Sequence, residues 1–282
     1  MTVLDHNRLA DALLPAILAA GRLEMAHFAA GVAIEKKADR SPVTIADREA
    51  EAIIVAALHA VAPHIPVVAE EAVSAGNIPA PSETFFLVDA LDGTHMFIRG
   101  KPEFSVNIAL VENAKSVFGV IYVPPTGALY VTRQKGGSYQ CQVDADAPAD
   151  DLAGLRYTQL VSRVPNPANL AAFNSRAAGG ACADFLAALG VREAKPLGSS
   201  MKFGLIAAGK GDLYARFGDT HEWDTAAGQA ILEAAGGCVT TLDGVPLTYG
   251  HAARRYLNPH FVAWGGQPLK PQVPGLAPER GL

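Results

Sequence analysis

The residues best equipped for chemistry stand in one short segment, Phe85-Phe86-Leu87-Val88-Asp89-Ala90-Leu91-Asp92-Gly93-Thr94. An apolar run of strand type ends abruptly at Asp89, and a turn then brings Asp92 and the Leu91 carbonyl round to the same side. Carboxylates and a carbonyl grouped in this way suit a hard cation such as Mg²⁺, which takes oxygen ligands in octahedral geometry. Gly93 permits close backbone approach, and Thr94 is placed to open a helix whose free N–H groups would face a phosphate.

Two further acidic positions share the pattern. Glu70-Glu71 follows the apolar stretch Val67-Val68-Ala69, and Asp224 stands near the start of the helix-like segment Trp223-Asp224-Thr225-Ala226-Ala227-Gly228. Each also has a plainer reading. Asp-x-x-Asp-Gly is a common Asx-capped turn, a strand can end in solvated carboxylates, and an acid at a helix start suits the helix dipole. Their shared placement at element ends, in a chain with only 18% charged residues, favours a metal site. Other motifs fail. Gly209-Lys210-Gly211 lacks the frame of a P-loop, and no G-x-S-x-G is present. His95 and His221 flank the acidic motifs without zinc-ligand spacing, so they are expected to face the substrate or to support its ligands.

These groups need elements to hold them. Leu9, Leu13, Ile17, Leu18, Met25 and Phe28 recur at helical spacing, with Pro15 marking a kink or the first turn of the main helix. A second helix begins near Thr44, with Asp47 in its first turn and Ile53, Ile54, Ala57 and Leu58 on its apolar face. Strand-like runs at 65–69, 85–88, 105–111, 116–122, 128–132 and 138–143 predict helices packed on an antiparallel meander. The small, acidic stretch 144–151 marks a boundary, giving a first domain at 1–150 and a second, α/β domain at 151–264. The second domain reads as a strand at 158–162, helices at 178–189, 201–208 and 223–235, and a strand at 212–216. The Gly/Pro-rich 265–282 reads as a tail.

Composition narrows the function. The 282 residues suffice for two modest domains or one large one, and 50% hydrophobic content excludes disorder. The apolar stretch 105–122 is interrupted by Glu112, Asn113 and Lys115, so no membrane-spanning helix is expected. Asp5 and Asp11 stand where a secretory signal would be basic, which points to the cytoplasm. A net charge of −5 argues against binding a nucleic-acid polymer and favours a small-molecule partner. Cys141, Cys182 and Cys238 form neither a C-x-x-C nor a Cys/His cluster and read as three buried thiols.

Taken together, the acidic segments resemble the inositol monophosphatase superfamily of Mg²⁺-dependent, Li⁺-sensitive phosphatases. The resemblance runs from about Lys37 to Ala263. The segment from Lys37 to Asp47, Lys-Ala-Asp-Arg-Ser-Pro-Val-Thr-Ile-Ala-Asp, resembles the family's first motif, and Ala69-Glu70-Glu71 its second. Asp89 to Thr94 resembles the third, and His221-Glu222-Trp223-Asp224-Thr225-Ala226-Ala227-Gly228 the fourth. Phe104 to Leu110 and Gly198 to Phe203 resemble the bacterial 3'(2'),5'-bisphosphate nucleotidase branch. Two departures stand out. Ala90 replaces a usual proline, and Val161-Ser162-Arg163 resembles the family's Ser-Arg segment only at its start, which bears on recognition of a base or second phosphate.

The resemblance implies an α+β layered sandwich of alternating helix and sheet layers. It implies two or three Mg²⁺ ions held by Glu70, Asp89, the Leu91 carbonyl, Asp92 and Asp224, and a pair, Asp47 and Thr94, that with Glu70 orients and deprotonates the attacking water. Gly93 and Thr94 N–H groups would hold the phosphate, with Ser199, Lys202, Glu222 and Asp224 toward the rest of the substrate. The physics agrees in kind. Phosphate-monoester hydrolysis requires accelerations up to ~10²¹, and one general acid or base supplies only ~10²–10⁴, so metal ions are the natural remaining source. The implied enzyme removes the 3'-phosphate of 3'-phosphoadenosine 5'-phosphate in sulfur metabolism, as a monomer or homodimer. An inositol, sugar or histidinol phosphatase is the alternative within the superfamily, and a catalytically silent phosphate-binding module the alternative outside enzymes.

Overall fold

The computed structural model describes residues 4–31, 35–36, 42–133, 136–148, 152, 154–176 and 178–269. Residues 37–41 of the first motif, the predicted boundary at 150–151 and 270–282 of the predicted tail lie outside these.

The chain opens with helix α1 (His6–Ala30), whose N-terminus is closed by Asp5 accepting from the Asn7 and Arg8 N–H groups. Pro15 sits inside this helix rather than at its first turn. Two short paired strands, β1 (Glu35–Lys36) and β2 (Pro42–Val43), precede α2 (Ile45–Val61). Strand β3 (Val67–Ala69) leads into the single turn α3 (Glu70–Ser74), and β4 (Thr84–Asp92) into α4 (Thr94–Ile98). An antiparallel meander follows: β5 (Ser105–Glu112), β6 (Lys115–Val123), β7 (Ala128–Arg133), β8 (Gly137–Gln142) and β9 (Thr158–Gln159). With β3 parallel to β4 at one edge, these form a seven-stranded sheet in the order β3-β4-β5-β6-β7-β8-β9.

The remaining elements are β10 (Ala172–Ser175), α5 (Gly180–Ala188), β11 (Ala194–Leu197), α6 (Met201–Ala207), β12 (Leu213–Arg216), α7 (Glu222–Ala234), β13 (Cys238–Thr241) and β14 (Phe261–Trp264). Their strands form a five-stranded mixed sheet, ordered β11-β10-β12-β14-β13. Of these strands only β12 was expected from the sequence pattern, and the strand expected at 158–162 stops after two residues.

Strand alternation sorts the core into layers. Phe86, Val88, Ile108, Leu110 and Val120 face α1 and α2, where they join Leu13, Ile17, Ile54 and Leu58. Phe85, Leu87, Ala109 and Val111 face the other way, onto Phe203 of α6 and Ala227 and Ile231 of α7. Tyr214, Phe261 and Ala263 of the second sheet close that layer from beyond, while Leu213, Ala215, Val262 and Trp264 turn outward onto α5. The order is helix, sheet, helix, sheet, helix, which is the expected layered sandwich. Two glycines let α7 sit close. A Cβ on Gly119 of β6 would lie 2.3 Å from the Ala227 carbonyl oxygen, and one on Gly228 would lie 2.3 Å from the Phe203 ring.

Candidate active site

Alternation along β4 explains how its two aspartates come to share a cleft. Phe85, Leu87 and Asp89 are in phase, so Asp89 points to the α7 side, and by the same rule Asp92 would point away from it. The β4–β5 register shifts between Asp89 and Asp92, and such an irregularity re-aims side chains. Leu91 then joins Ala46, Phe97 and Phe104 in a small apolar cluster. Asp92 is delivered to α6, where its Oδ2 accepts from the Ser200 backbone N–H and from Ser200 Oγ at 2.6 Å, and from Asn107 Nδ2 at 3.2 Å. The buried Asp89 accepts from the Leu91 N–H at 3.1 Å, which fixes the turn.

Glu70 stands at the first position of α3, directly beyond the parallel edge strand β3, and Asp224 in the first turn of α7. Asp224 Oδ2 accepts from the His221 N–H at 2.8 Å. Glu70, Asp89 and Asp224 each offer a carboxylate oxygen within 4.8 Å of the others'. Burial, and then the charges of Asp92 and Glu70, push the Asp224 carboxyl well above the ordinary aspartate range. Three converging carboxylates repel one another unless a cation or proton lies among them, and an all-oxygen donor set suits a hard divalent ion. Asp92 lines the same cleft but is not one of the three converging groups, and the Leu91 carbonyl accepts from the Thr94 hydroxyl at 3.3 Å.

Asp47 and Thr94 meet behind this cluster. Thr44 caps α2: its N–H and hydroxyl both reach Asp47 Oδ2, at 2.8 and 2.7 Å. The other oxygen, Oδ1, accepts from Thr94 Oγ1 at 2.8 Å. Asp47 is only 3% exposed, and these donors satisfy its buried carboxylate oxygens. Gly93 precedes Thr94 at φ +102°, and a Cβ there would lie 2.7 Å from the Glu103 carbonyl oxygen, so glycine is required.

A cleft of about 660 Å³ opens over the carboxylates, and Arg99, Arg176, Lys202, Arg216, Arg254 and Arg255 also line it. His95 and His221 both line it. Ser199 reaches it in a left-handed conformation, φ 48°. Lys202 also lines it, but its ammonium is buried, donates to the Leu197 and Ser199 carbonyls, and lies 4.7 Å from the Tyr214 ring centre. Burial lowers its pKa to about 8, against the opposing pull of Asp92.

One expected position is corrected. Glu222 does not line the cleft: it is fully buried, and its carboxylate accepts from the Gly250 N–H at 2.6 Å and the His251 N–H at 2.9 Å, and pairs with His251 Nδ1 at 2.7 Å. It anchors a loop. Ser162 and Arg163 are also elsewhere, Ser162 donating to the Ala235 carbonyl and Arg163 pairing with Asp212. The Ser-Arg step that faces the cleft is Ser175-Arg176, at the end of β10, where Arg176 pairs with Glu103. Ser200 and Asn107 lie within segments that carry the resemblance, but as neutral side chains they gave no sign of a role. Only their convergence on Asp92 shows what they do.

A sequence profile of the inositol monophosphatase family matches residues 5–267. The chain belongs to the inositol monophosphatase family. Among its relatives in that family, the 3'(2'),5'-bisphosphate nucleotidase CysQ of Shigella flexneri is 37% identical over 229 residues, 81% of this chain and 87% of the relative. The CysQ of Escherichia coli K12 is 36% identical over the same span. The crystal structure of CysQ from Bacteroides thetaiotaomicron, a bacterial member of the inositol monophosphatase family, superposes with a TM-score of 0.73 at 35% identity, covering 91% of this chain and 97% of that one. An IMPase from Thermotoga maritima shares the fold, with a TM-score of 0.72 at 24% identity over 92% of each chain. No helix among the described residues is long and apolar enough to cross a membrane.

Proposed function

We propose that this chain removes the 3'-phosphate of 3'-phosphoadenosine 5'-phosphate, giving AMP and inorganic phosphate. The observation that carries the reading is the pairing, in one cleft, of a converging carboxylate cluster with six cationic side chains. A small substrate with one phosphate to cleave and a second to hold is matched by such a division of charge. The CysQ names of relatives at 36–37% identity support the same choice.

The donor set fits Mg²⁺, and Glu70, Asp89, Asp92, Asp224 and the Leu91 carbonyl would hold two or three ions. When bound, the metal lowers the pKa of water and neutralises phosphoryl charge. The chain's own residues do the rest. Asp47 Oδ2 is occupied by two donors from Thr44, so Oδ1 is the atom left to receive a proton. Thr94 Oγ1 donates to that atom, which leaves its lone pairs to accept from the attacking water, and the proton passes through Thr94 to Asp47. Glu70 orients the same water. The Gly93 and Thr94 N–H groups, at the first turn of α4, hold the phosphate in place. Ser199 and Lys202 face the remainder of the substrate. Ser200 and Asn107 keep the Asp92 carboxylate in one orientation throughout.

Phosphate release in Mg²⁺ from 3'-phosphoadenosine 5'-phosphate, inositol 1-phosphate and histidinol phosphate, with Li⁺ as inhibitor, tests the reading. Highest kcat/KM with the nucleotide supports it. Preference for inositol 1-phosphate or histidinol phosphate reassigns the substrate, and no release from any of the three rejects the enzyme.

A further inference from the structure

Four of the six cations in the cleft differ from the other two in position or engagement. Arg176 is paired with Glu103, Lys202 is buried against two carbonyls, and Arg216 donates to the Asp219 carbonyl. Arg99 follows α4, on the wall that carries Thr94. Arg254 and Arg255 are sequence neighbours that line the same cleft, both exposed, and among the described residues no hydrogen bond or ion pair engages either side chain.

The loop that presents them is held with unusual firmness for an exposed turn. Its start is clamped by the buried Glu222 carboxylate on the Gly250 and His251 N–H groups. Its end is tied by Asn258, whose N–H reaches the Thr220 carbonyl at 2.9 Å and whose side chain reaches the His221 carbonyl at 2.6 Å. Between these anchors Arg255 and Tyr256 take left-handed backbone, φ 51° and 59°, a conformation that L-residues seldom adopt and that persists where the surroundings impose it. The two left-handed residues turn Tyr256 inward to rest against Trp223, ring centres 5.8 Å apart, while Arg255 stays at the cleft. Trp223 in turn stacks on His221 at 4.7 Å and 9°. A loop of two adjacent, uncompensated guanidinium groups, strained in backbone and fixed at both ends, is arranged for an anion that the described residues do not supply.

We infer that Arg254 and Arg255 are the specificity element for the phosphate that is not cleaved, with Glu222 as the residue that positions them. The inference rests on the bisphosphate nucleotidase reading above. Paired guanidinium groups grip a phosphate dianion bidentately and draw it in from solution. Among the described residues neither is bonded to Thr94, Asp47 or the carboxylate cluster, so they act on substrate binding rather than on the attacking water.

The comparison that tests this uses two substrates with the same scissile group, 3'-phosphoadenosine 5'-phosphate and adenosine 3'-monophosphate. Arg254→Ala/Arg255→Ala is expected to lower kcat/KM for the bisphosphate by about ten- to a hundredfold, mainly through KM, and to leave the monophosphate within about twofold. Arg254→Glu/Arg255→Glu should extend the loss, and Glu222→Gln should raise KM for the bisphosphate alone while keeping kcat. Raising ionic strength should shrink the wild-type preference, since exposed charges are screened. Equal loss on both substrates, no loss on either, or transfer of the whole effect to Arg99→Ala would overturn the inference. If the wild-type protein shows no preference for the bisphosphate, the functional reading itself has failed, an outcome distinct from these.

Discussion

The Thr94 hydroxyl donates to Asp47 Oδ1 at 2.8 Å across 47 residues of chain, joining the first turns of two helices behind the carboxylate cluster. Both oxygens of Asp47 are thereby engaged by hydroxyls, and of the two hydroxyl partners Thr94 lines the cleft whereas Thr44 is fully buried. Asp47→Asn keeps the shape and an acceptor for the Thr44 cap but cannot take up a proton. It is expected to lower kcat by ~10²–10⁴ while far-UV circular dichroism and Mg²⁺ binding stay as in the wild type. Activity near the wild-type level would remove Asp47 from the proton path.

Crowding of Glu70, Asp89 and Asp224 predicts an opposition between stability and function. Without divalent metal, Asp224→Asn and Asp89→Asn each relieve like-charge repulsion and should raise the melting temperature. With Mg²⁺, the wild type should gain stability as binding is linked to folding, and the variants should gain little and show no turnover. Melting curves in chelator and in Mg²⁺ measure both. A variant that melts lower than the wild type in chelator would show that the cluster is not repulsive.

Glu24 of α1 is fully buried with neither carboxylate oxygen hydrogen-bonded among the described residues, and burial first, then Asp47, hold its pKa well above 4.5. The folded chain therefore keeps a proton that the unfolded chain releases. This contribution to stability is complete below pH 4.5 and is lost as pH rises through the folded value. Glu24→Gln should flatten the decline by up to about 1.4 kcal/mol per pH unit within that window. Denaturant titrations at several pH values would read the slope, and an unchanged slope in the variant would contradict the assignment.

Lys202 has its pKa lowered to about 8 by burial. Its positive charge in the free enzyme therefore fades as pH rises past that value, and kcat/KM for an anionic substrate should fall there. Lys202→Met should start lower and lack that limb of the profile. Bound anion favours the charged ammonium, so kcat should show the limb less than kcat/KM does. A limb retained in Lys202→Met would assign it to another group.

The acidic residues were legible in the sequence because strand ends and helix starts announce themselves by abrupt changes of polarity, as at Asp89 and Asp224. Helices α1, α2 and α7 and the meander were legible for the same reason: their periods persist over enough residues to be counted. The second sheet was not. Strands β10, β11, β13 and β14 have four residues each, one containing Pro196, and they draw their stability from packing against α5, α6 and α7 rather than from local pattern. The roles of Glu222, Ser200 and Asn107 depend on partners distant in sequence, so spacing alone could not separate a loop anchor from a substrate contact.

The identity of the product distinguishes a 3'-phosphatase from every alternative. Purified protein in Mg²⁺ is given 3'-phosphoadenosine 5'-phosphate, and the nucleotide left after phosphate release is identified by chromatography. AMP is expected, formed faster than phosphate is released from inositol 1-phosphate and suppressed by Li⁺. Adenosine 3'-monophosphate as the product, or release from inositol 1-phosphate without release from the nucleotide, would contradict it.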